Sequence, residues 1–125
     1  MNADKLAQFA GQKYINLQTF KRDGTPVATP LWFAERGGEL VFYTTADTGK
    51  VKRIRNNPRV RVAVSDVRGN LKGEWMDAEA RRLDEAEAAD ANRLITEKYG
   101  LIKRAMDFFS KFRKQPRAAF AIRVL

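Results

Sequence analysis

The stretch VFYTTADTGKVKRIRNNPRV, Val41 to Val60, begins as a strand and ends as another strand. Along it stand three threonines, a glycine and five cationic side chains: Lys50, Lys52, Arg53, Arg55 and Arg59. Asp47 or Thr48 can cap a short helix over GKVKRIRNN, which Asn57-Pro58 ends. Val51 and Ile54 stand three apart and can face a core, while Lys50, Lys52, Arg53 and Arg55 occupy the other faces.

Outward from that stretch, the chain alternates. On its N-terminal side, ADKLAQFAG reads as a short helix, with Asn2 as a cap and Gly11 as a stop. KYINLQTF alternates and is rich in β-formers, and Asp23-Gly24 within RDGT marks a hairpin turn. PVATPLWFAE reads as one return strand. Pro26 and Pro30 have no N–H to donate, so this strand starts late, lies on an edge or carries a bulge. RGG at 36–38 is a second turn, and ELVFYTT is the third strand.

On the C-terminal side, RVRVAVSDV is a strand and Gly69-Asn70 a turn. LKGEWMDAEARRLD reads as a long strand. Lys72, Glu74, Met76, Ala78 and Ala80 share one of its faces; Gly73, Trp75, Asp77, Glu79 and Arg81 share the other. A large aromatic beside Gly73 points to close packing, so Trp75 is expected in the core. Asp84 and Glu87 form a capping box for a helix that stops at Gly100. A second helix, LIKRAMDFFSKFRK, carries the apolar stripe Ile102, Met106 and Phe109; Pro116 ends it, and RAAFAIRVL closes the chain as a strand. The pattern predicts a mainly β fold on a single domain over residues 1–125. Five to six antiparallel strands with helical insertions suit a small closed or split barrel, with an open α+β sandwich as the alternative.

Composition narrows the chemistry. The 125 residues contain no cysteine and no histidine. Disulfides, thiolate nucleophiles, His general bases and His/Cys zinc sites are thereby excluded, and no metal site is expected. The net charge of +9 attracts polyanions, although cations also serve solubility. No apolar run reaches the length of a membrane span, and the first residues lack a signal-peptide core, so a cytoplasmic location is the expectation.

The segment from Tyr43 to Arg55 has the parts of an anion site. A helix N-terminus offers unpaired N–H groups and partial positive charge. Thr44, Thr45 and Thr48 add hydroxyls, and Gly49 lets a ligand approach the backbone. Lys50 stands where the helix dipole prefers an acid, which an outside anion would explain. The bland reading is that TTADTGK is a helix cap and Lys50 points into water.

KYINLQTFKRDGTPVATPLWF, LVFYTTADTGKVKRIRNNPRVRV and GEWMDAEARRLD…ITEKYGL resemble the pyridoxamine-phosphate-oxidase-like split-barrel family. They are most similar to its small branch of deazaflavin (coenzyme F420)-dependent oxidoreductases. The resemblance runs from about Lys13 to Val124 and is most specific between Tyr43 and Pro58. It implies a FMN-binding-like split β-barrel that forms a homodimer with two cofactor sites at the interface. Thr44, Thr45, Gly49 and Lys50 match the family's phosphate-binding segment. Many members have serine-arginine before this lysine; Thr48-Gly49 stands here and weakens the flavin-mononucleotide pattern. The resemblance also places Thr29, Pro30, Leu31 and Trp32 near the cofactor ring, with core packing the plainer role for Trp32.

Two cofactors fit that reading. Flavin mononucleotide (FMN) carries one phosphate, whereas F420 carries a phosphodiester and a glutamate tail that needs an extended basic surface. Lys52, Arg53 and Arg55 supply one, with Arg59 and Arg61 on one face of the next strand. The excess of cations favours F420, with FMN as the alternative. Heme is disfavoured because His, Cys and an obvious axial ligand are missing. The implied activity is hydride transfer to or from an unknown small molecule, with the reactivity carried by the cofactor. Tyr43, Lys72 and Tyr99 are the available acid–base groups, and none stands out. Two other classes stay open: a basic nucleic-acid-binding domain, which lacks the interleaved aromatics of a stacking surface, and a cofactor-binding protein without turnover.

Overall fold

The first hairpin forms where Asp23-Gly24 requires it. Gly24 takes a φ of 90°, and the Asp23 carboxylate accepts a 3.0 Å hydrogen bond from the Thr25 N–H. The turn joins β1 (Tyr14–Phe20) to β2 (Pro26–Leu31). The structure is a computed structural model and describes residues 5–46, 48–100 and 117–125. Its other elements are β3 (Ala34–Arg36), β4 (Glu39–Thr45), α1 (Gly49–Asn56), β5 (Arg59–Ser65), β6 (Met76–Arg82), α2 (Glu85–Tyr99) and β7 (Arg117–Val124). Lys5 and Leu6 are helical and run into a 3₁₀ turn, Ala7–Phe9, within the expected first helix, and Gly11 follows at a φ of 73°. The expected Asn2 cap and the helix bearing Ile102, Met106 and Phe109 lie outside the described residues.

All pairings are antiparallel, in one seven-stranded sheet ordered β2-β1-β5-β6-β7-β4-β3. β2 and β3 follow one another in sequence yet form the two opposite edges. Laid flat, seven strands would hold those edges about 29 Å apart. The linker Trp32-Phe33 allows about 11 Å between Leu31 and Ala34. The sheet therefore curls until its edges nearly meet, with the seam at Trp32-Phe33. This is a split barrel. PVATPLWFAE is accordingly two strands and not one. Pro26 and Pro30 sit on β2, at an edge, where a missing N–H costs the ladder nothing.

Inward residues alternate along each wall: Ile15, Leu17 and Thr19 on β1, Leu40 and Phe42 on β4, Ala78 and Ala80 on β6, and Phe120 and Ile122 on β7 are all buried. Val51 and Ile54 of α1 join this interior, as the three-residue spacing predicts. α2 covers part of the outer wall. Its Ala91 and Ile95 pack with Val41, Ala34, Ala119 and Ala121, so β7 is buried on both faces and reads as a continuous apolar run. Asp84 and Glu87 form the expected capping box, with the Glu87 N–H 2.8 Å from the Asp84 carboxylate.

The long strand expected from Leu71 starts only at Met76. Before it, the Asp66 carboxylate gathers the N–H groups of Arg68 and Asn70, each at 2.9 Å, and closes a compact turn. That turn is tied to β1 by the Asn16 amide, which donates to the Gly69 carbonyl at 2.9 Å. Trp75 lies in this loop, half-buried and outside the core. The faces of β6 are as expected, but the face in phase with Trp75 bears the exposed Asp77 and Arg81, so Trp75 is not a core residue.

Candidate cofactor site

The end of β4 delivers Thr44 and Thr45, both half-buried, to the start of α1. Thr48 caps the helix, its hydroxyl accepting from the Val51 N–H at 3.5 Å. No acid occupies the first turn. Burial holds the Lys50 ammonium below the usual lysine range, and the neighbouring Arg53 guanidinium adds to the effect. Among the described residues Lys50 has no carboxylate partner.

Arg53 reaches across from α1 to β1, where its Nε donates to the hydroxyl of the buried Thr19 at 2.6 Å. One terminal nitrogen of its guanidinium lies 2.7 Å from where a Cβ on Gly49 would be. Gly49 was expected to leave room for a ligand; that space is occupied by Arg53. The glycine thus lets a guanidinium fold over the first turn of α1, beside Lys50. Lys52 and Arg55 are exposed. Arg55 borders a separate cavity of about 170 Å³ with Val51, Ile54, Ala80, Arg82 and Phe120, so α1 distributes its cations over more than one surface. Arg59 and Arg61 share the exposed outer face of β5, and Arg61 is bound to Asp77 at 3.1 Å.

A larger cavity, about 400 Å³ and mostly carbon-lined, opens on the outer wall between Tyr14, Pro30, Leu31, Trp32, Tyr43 and Val67. Three of the four residues expected near a cofactor ring line it. Thr29, opposite Leu17 on β2, does not. Tyr43 lines the cavity and directly precedes Thr44, so one strand end connects the apolar cavity to the cationic turn. Tyr14 and Val67 gave no signal in the sequence, because they arrive from β1 and the Asp66 turn through the sheet pairing.

Trp32 also packs: its ring stacks on Tyr99 with centroids 4.4 Å apart and planes 8° from parallel. The Tyr99 hydroxyl accepts from the Phe33 N–H at 3.1 Å and lies 2.6 Å from the Lys13 carbonyl and 3.0 Å from the Phe33 carbonyl. Burial pushes this phenol up to about 12. The Tyr99 hydroxyl is thus committed to backbone groups of Lys13 and Phe33. Lys72 is bound to the Gln12 carboxamide at 3.2 Å, away from the cavity lining. Of the acid–base candidates, Tyr43 is the one at the cavity, where the Arg117 guanidinium sits 4.9 Å from its ring centre.

The pyridoxamine 5'-phosphate oxidase family model matches residues 3–125. The chain belongs to the pyridoxamine 5'-phosphate oxidase family. No curated protein matches it in sequence. Among solved structures it is similar to a conserved hypothetical protein from Mycobacterium tuberculosis, with TM-score 0.70 and 23% identity over 99% of this chain and 81% of the other. A heme storage protein from Vibrio cholerae aligns with TM-score 0.72 and 15% identity, covering 98% of this chain and 89% of its own. A FAD-binding protein from Mesorhizobium loti aligns with TM-score 0.64 and 19% identity, covering 99% and 87%. At these identities the likeness establishes the family's shared barrel. The second of these three is described as storing heme and the third as binding FAD. A carbon-lined cavity suits a flat ring, and a desolvated lysine with no carboxylate among the described residues suits a phosphate. Heme has no His or Cys ligand available anywhere in the chain.

Proposed function

We propose that this chain is an F420-dependent oxidoreductase that works as a homodimer on a small-molecule substrate. The observation carrying this reading is Lys50: half-buried, without a carboxylate among the described residues, at an acid-free helix start beside the guanidinium of Arg53. Placing two cations there costs desolvation and mutual repulsion, which an anion offsets. By contrast Arg36, Arg61, Arg81, Arg93 and Arg123 are all ion-paired, which weakens the case for a general polyanion surface.

In this reading Thr44, Thr45, Lys50, Arg53 and the first N–H groups of α1 hold the phosphate. Pro30, Leu31, Trp32, Tyr14 and Tyr43 shape the cavity for the ring. Lys52 and Arg55 meet the carboxylates of the tail. The bound deazaflavin supplies hydride transfer; the protein supplies orientation and electrostatics. The second subunit is proposed to cover the open side of the cavity, where Val67 is 59% exposed. FMN is the alternative occupant, since one phosphate needs only the helix start and Lys50.

The test is titration of the protein with F420, FMN and a tail-less deazaflavin that lacks both the phosphodiester and the glutamates. Lys50→Ala is expected to weaken binding of both phosphate-bearing cofactors by about tenfold to a hundredfold. Losing Lys52 and Arg55 is expected to weaken F420 more than FMN, and less so at high salt. Equal affinity of wild type and Lys50→Ala for both cofactors would leave TTADTGK as a helix cap and remove the reading.

A further inference from the structure

The barrel is linked across its split by two residues, and the last turn of α2 holds both. Trp32 is stacked on the Tyr99 ring. The Phe33 peptide is held at each end: its N–H donates to the Tyr99 hydroxyl at 3.1 Å, and its carbonyl accepts from the Lys98 ammonium at 3.0 Å. The same ammonium lies 3.6 Å from the centre of the Phe33 ring. The phenol has one proton, which goes to the Lys13 carbonyl at 2.6 Å or to the Phe33 carbonyl at 3.0 Å. Lys13 immediately precedes Tyr14. One hydroxyl therefore joins α2, the seam and the start of β1, and two of the elements it joins end in residues that line the cavity, Trp32 and Tyr14.

The interior of the barrel meets this arrangement through Phe33, whose ring belongs to the inner core. The inward residues of β1, β4, β6 and β7 close on one another without Tyr99, which belongs to the outer apolar cluster under α2. What the clasp does determine is the angle and depth at which Trp32 stands in the cavity wall. An unclasped two-residue linker between two edge strands would let that indole turn.

We propose that Tyr99 and Lys98 are positioning residues for the ring site, acting by locking Trp32 as a rigid wall against which a flat tricyclic ring is gripped. This inference rests on the reading of the cavity as a cofactor-ring site. It assigns the ring's affinity to the clasp and the phosphate's affinity to Lys50, two contributions that separate experimentally.

The test uses full-length protein in a Trp75→Phe background, so that Trp32 is the reporting indole. Tyr99→Phe keeps the stack and removes the hydroxyl; Tyr99→Leu removes both; Lys98→Met removes the ammonium. Acrylamide quenching and near-ultraviolet circular dichroism of Trp32 are read without ligand, and affinities are then measured for tail-less deazaflavin and for intact F420. Tyr99→Phe is expected to raise quenching and weaken both ligands equally, by about threefold to tenfold. Tyr99→Leu is expected to go further, and Lys98→Met to follow Tyr99→Phe. Lys50→Ala, run alongside, is expected to leave the tail-less ring unaffected. If Tyr99→Leu does not fold, Tyr99→Phe and Lys98→Met carry the comparison. Folded variants that bind the tail-less ring as tightly as their parent overturn the proposal. If the parent binds no ring at all, the cofactor reading falls. The clasp is then decided by Trp32 alone, and unchanged quenching and dichroism in Tyr99→Phe and Lys98→Met overturn it.

Discussion

Replacing Gly49 with alanine alters the candidate phosphate site without removing a charge. The new methyl would start 2.7 Å from a terminal nitrogen of Arg53, closer than nonbonded atoms tolerate. The obstacle is the end of a flexible side chain, so the backbone can stay and the guanidinium must swing away. In swinging, it gives up its 2.6 Å bond to Thr19, whose hydroxyl is almost wholly buried. That loss costs about 1 kcal/mol. Against it stands the better helix propensity of alanine, worth up to about 1 kcal/mol and less in a first turn. The two nearly cancel, and the melting temperature should move by only a few degrees. Binding should behave differently. If Arg53 contacts the phosphate from its place over the first turn, displacing it forfeits a charge-assisted hydrogen bond of about 1.5–3 kcal/mol, or about tenfold to a hundredfold in affinity. Fluorescence titration with F420 and FMN measures the affinity, and differential scanning fluorimetry measures the stability. Wild-type affinity for both cofactors in a folded Gly49→Ala protein would refute the reasoning and leave Gly49 with no role beyond starting the helix.

The other expectations are quickly stated. Lys98 is lowered from its ordinary 10.5 to about 8, chiefly by burial, so between these values the unfolded chain binds more protons than the folded one. Its contribution to stability should therefore rise with pH from about 8 to 10.5 and be flat on either side, read as urea unfolding of wild type against Lys98→Met; a fall across that window would contradict the assignment. Trp75→Ala should cost about 1 kcal/mol, the scale of a half-buried loop residue, and not the 3–5 kcal/mol of a core aromatic; thermal unfolding decides.

Some of this fold was written plainly in the residues. Pro26 and Pro30 announce an edge strand, Asp23-Gly24 a hairpin, Thr48 and Asn57-Pro58 the limits of a short helix, and Asp84 with Glu87 the start of a longer one. Each of these signals acts within a few residues, through a missing donor or a side chain that captures a backbone N–H. The break at Trp32-Phe33 was not legible. Apolar residues continue through it, and what divides the run is the claim of two different neighbours, β1 and β4, on its two halves. The loop before Met76 was hidden in the same way: Leu71 to Trp75 alternates like a strand, yet its pairing with β5 stops at a single bridge, Ser65 to Leu71, beyond the turn that Asp66 closes. The site divides along the same line. Lys50 and the threonines stand close in sequence and could be read from the helix start, and Pro30 to Trp32 from the resemblance. Tyr14 and Val67 join the cavity from distant parts of the chain, and Tyr99 reaches only the Trp32 ring in its wall. Arg53 was visible as a cation, but its place over Gly49 needed the third dimension.

The split in the barrel also bears on how this protein stays apart from its neighbours in a crowded solution. A sheet with two free borders is a template on which foreign chains can extend it. Here one border is β2, whose two prolines withhold donors from any added strand. The other is β3, only three residues long, too short to give an intruder a stable register. The seam draws these two borders together, so an unrelated chain would find little room to lie along either. Replacing Pro26 and Pro30 would therefore be felt in self-association before it was felt in folding, and the prolines act as guards of the opening that the fold could not close.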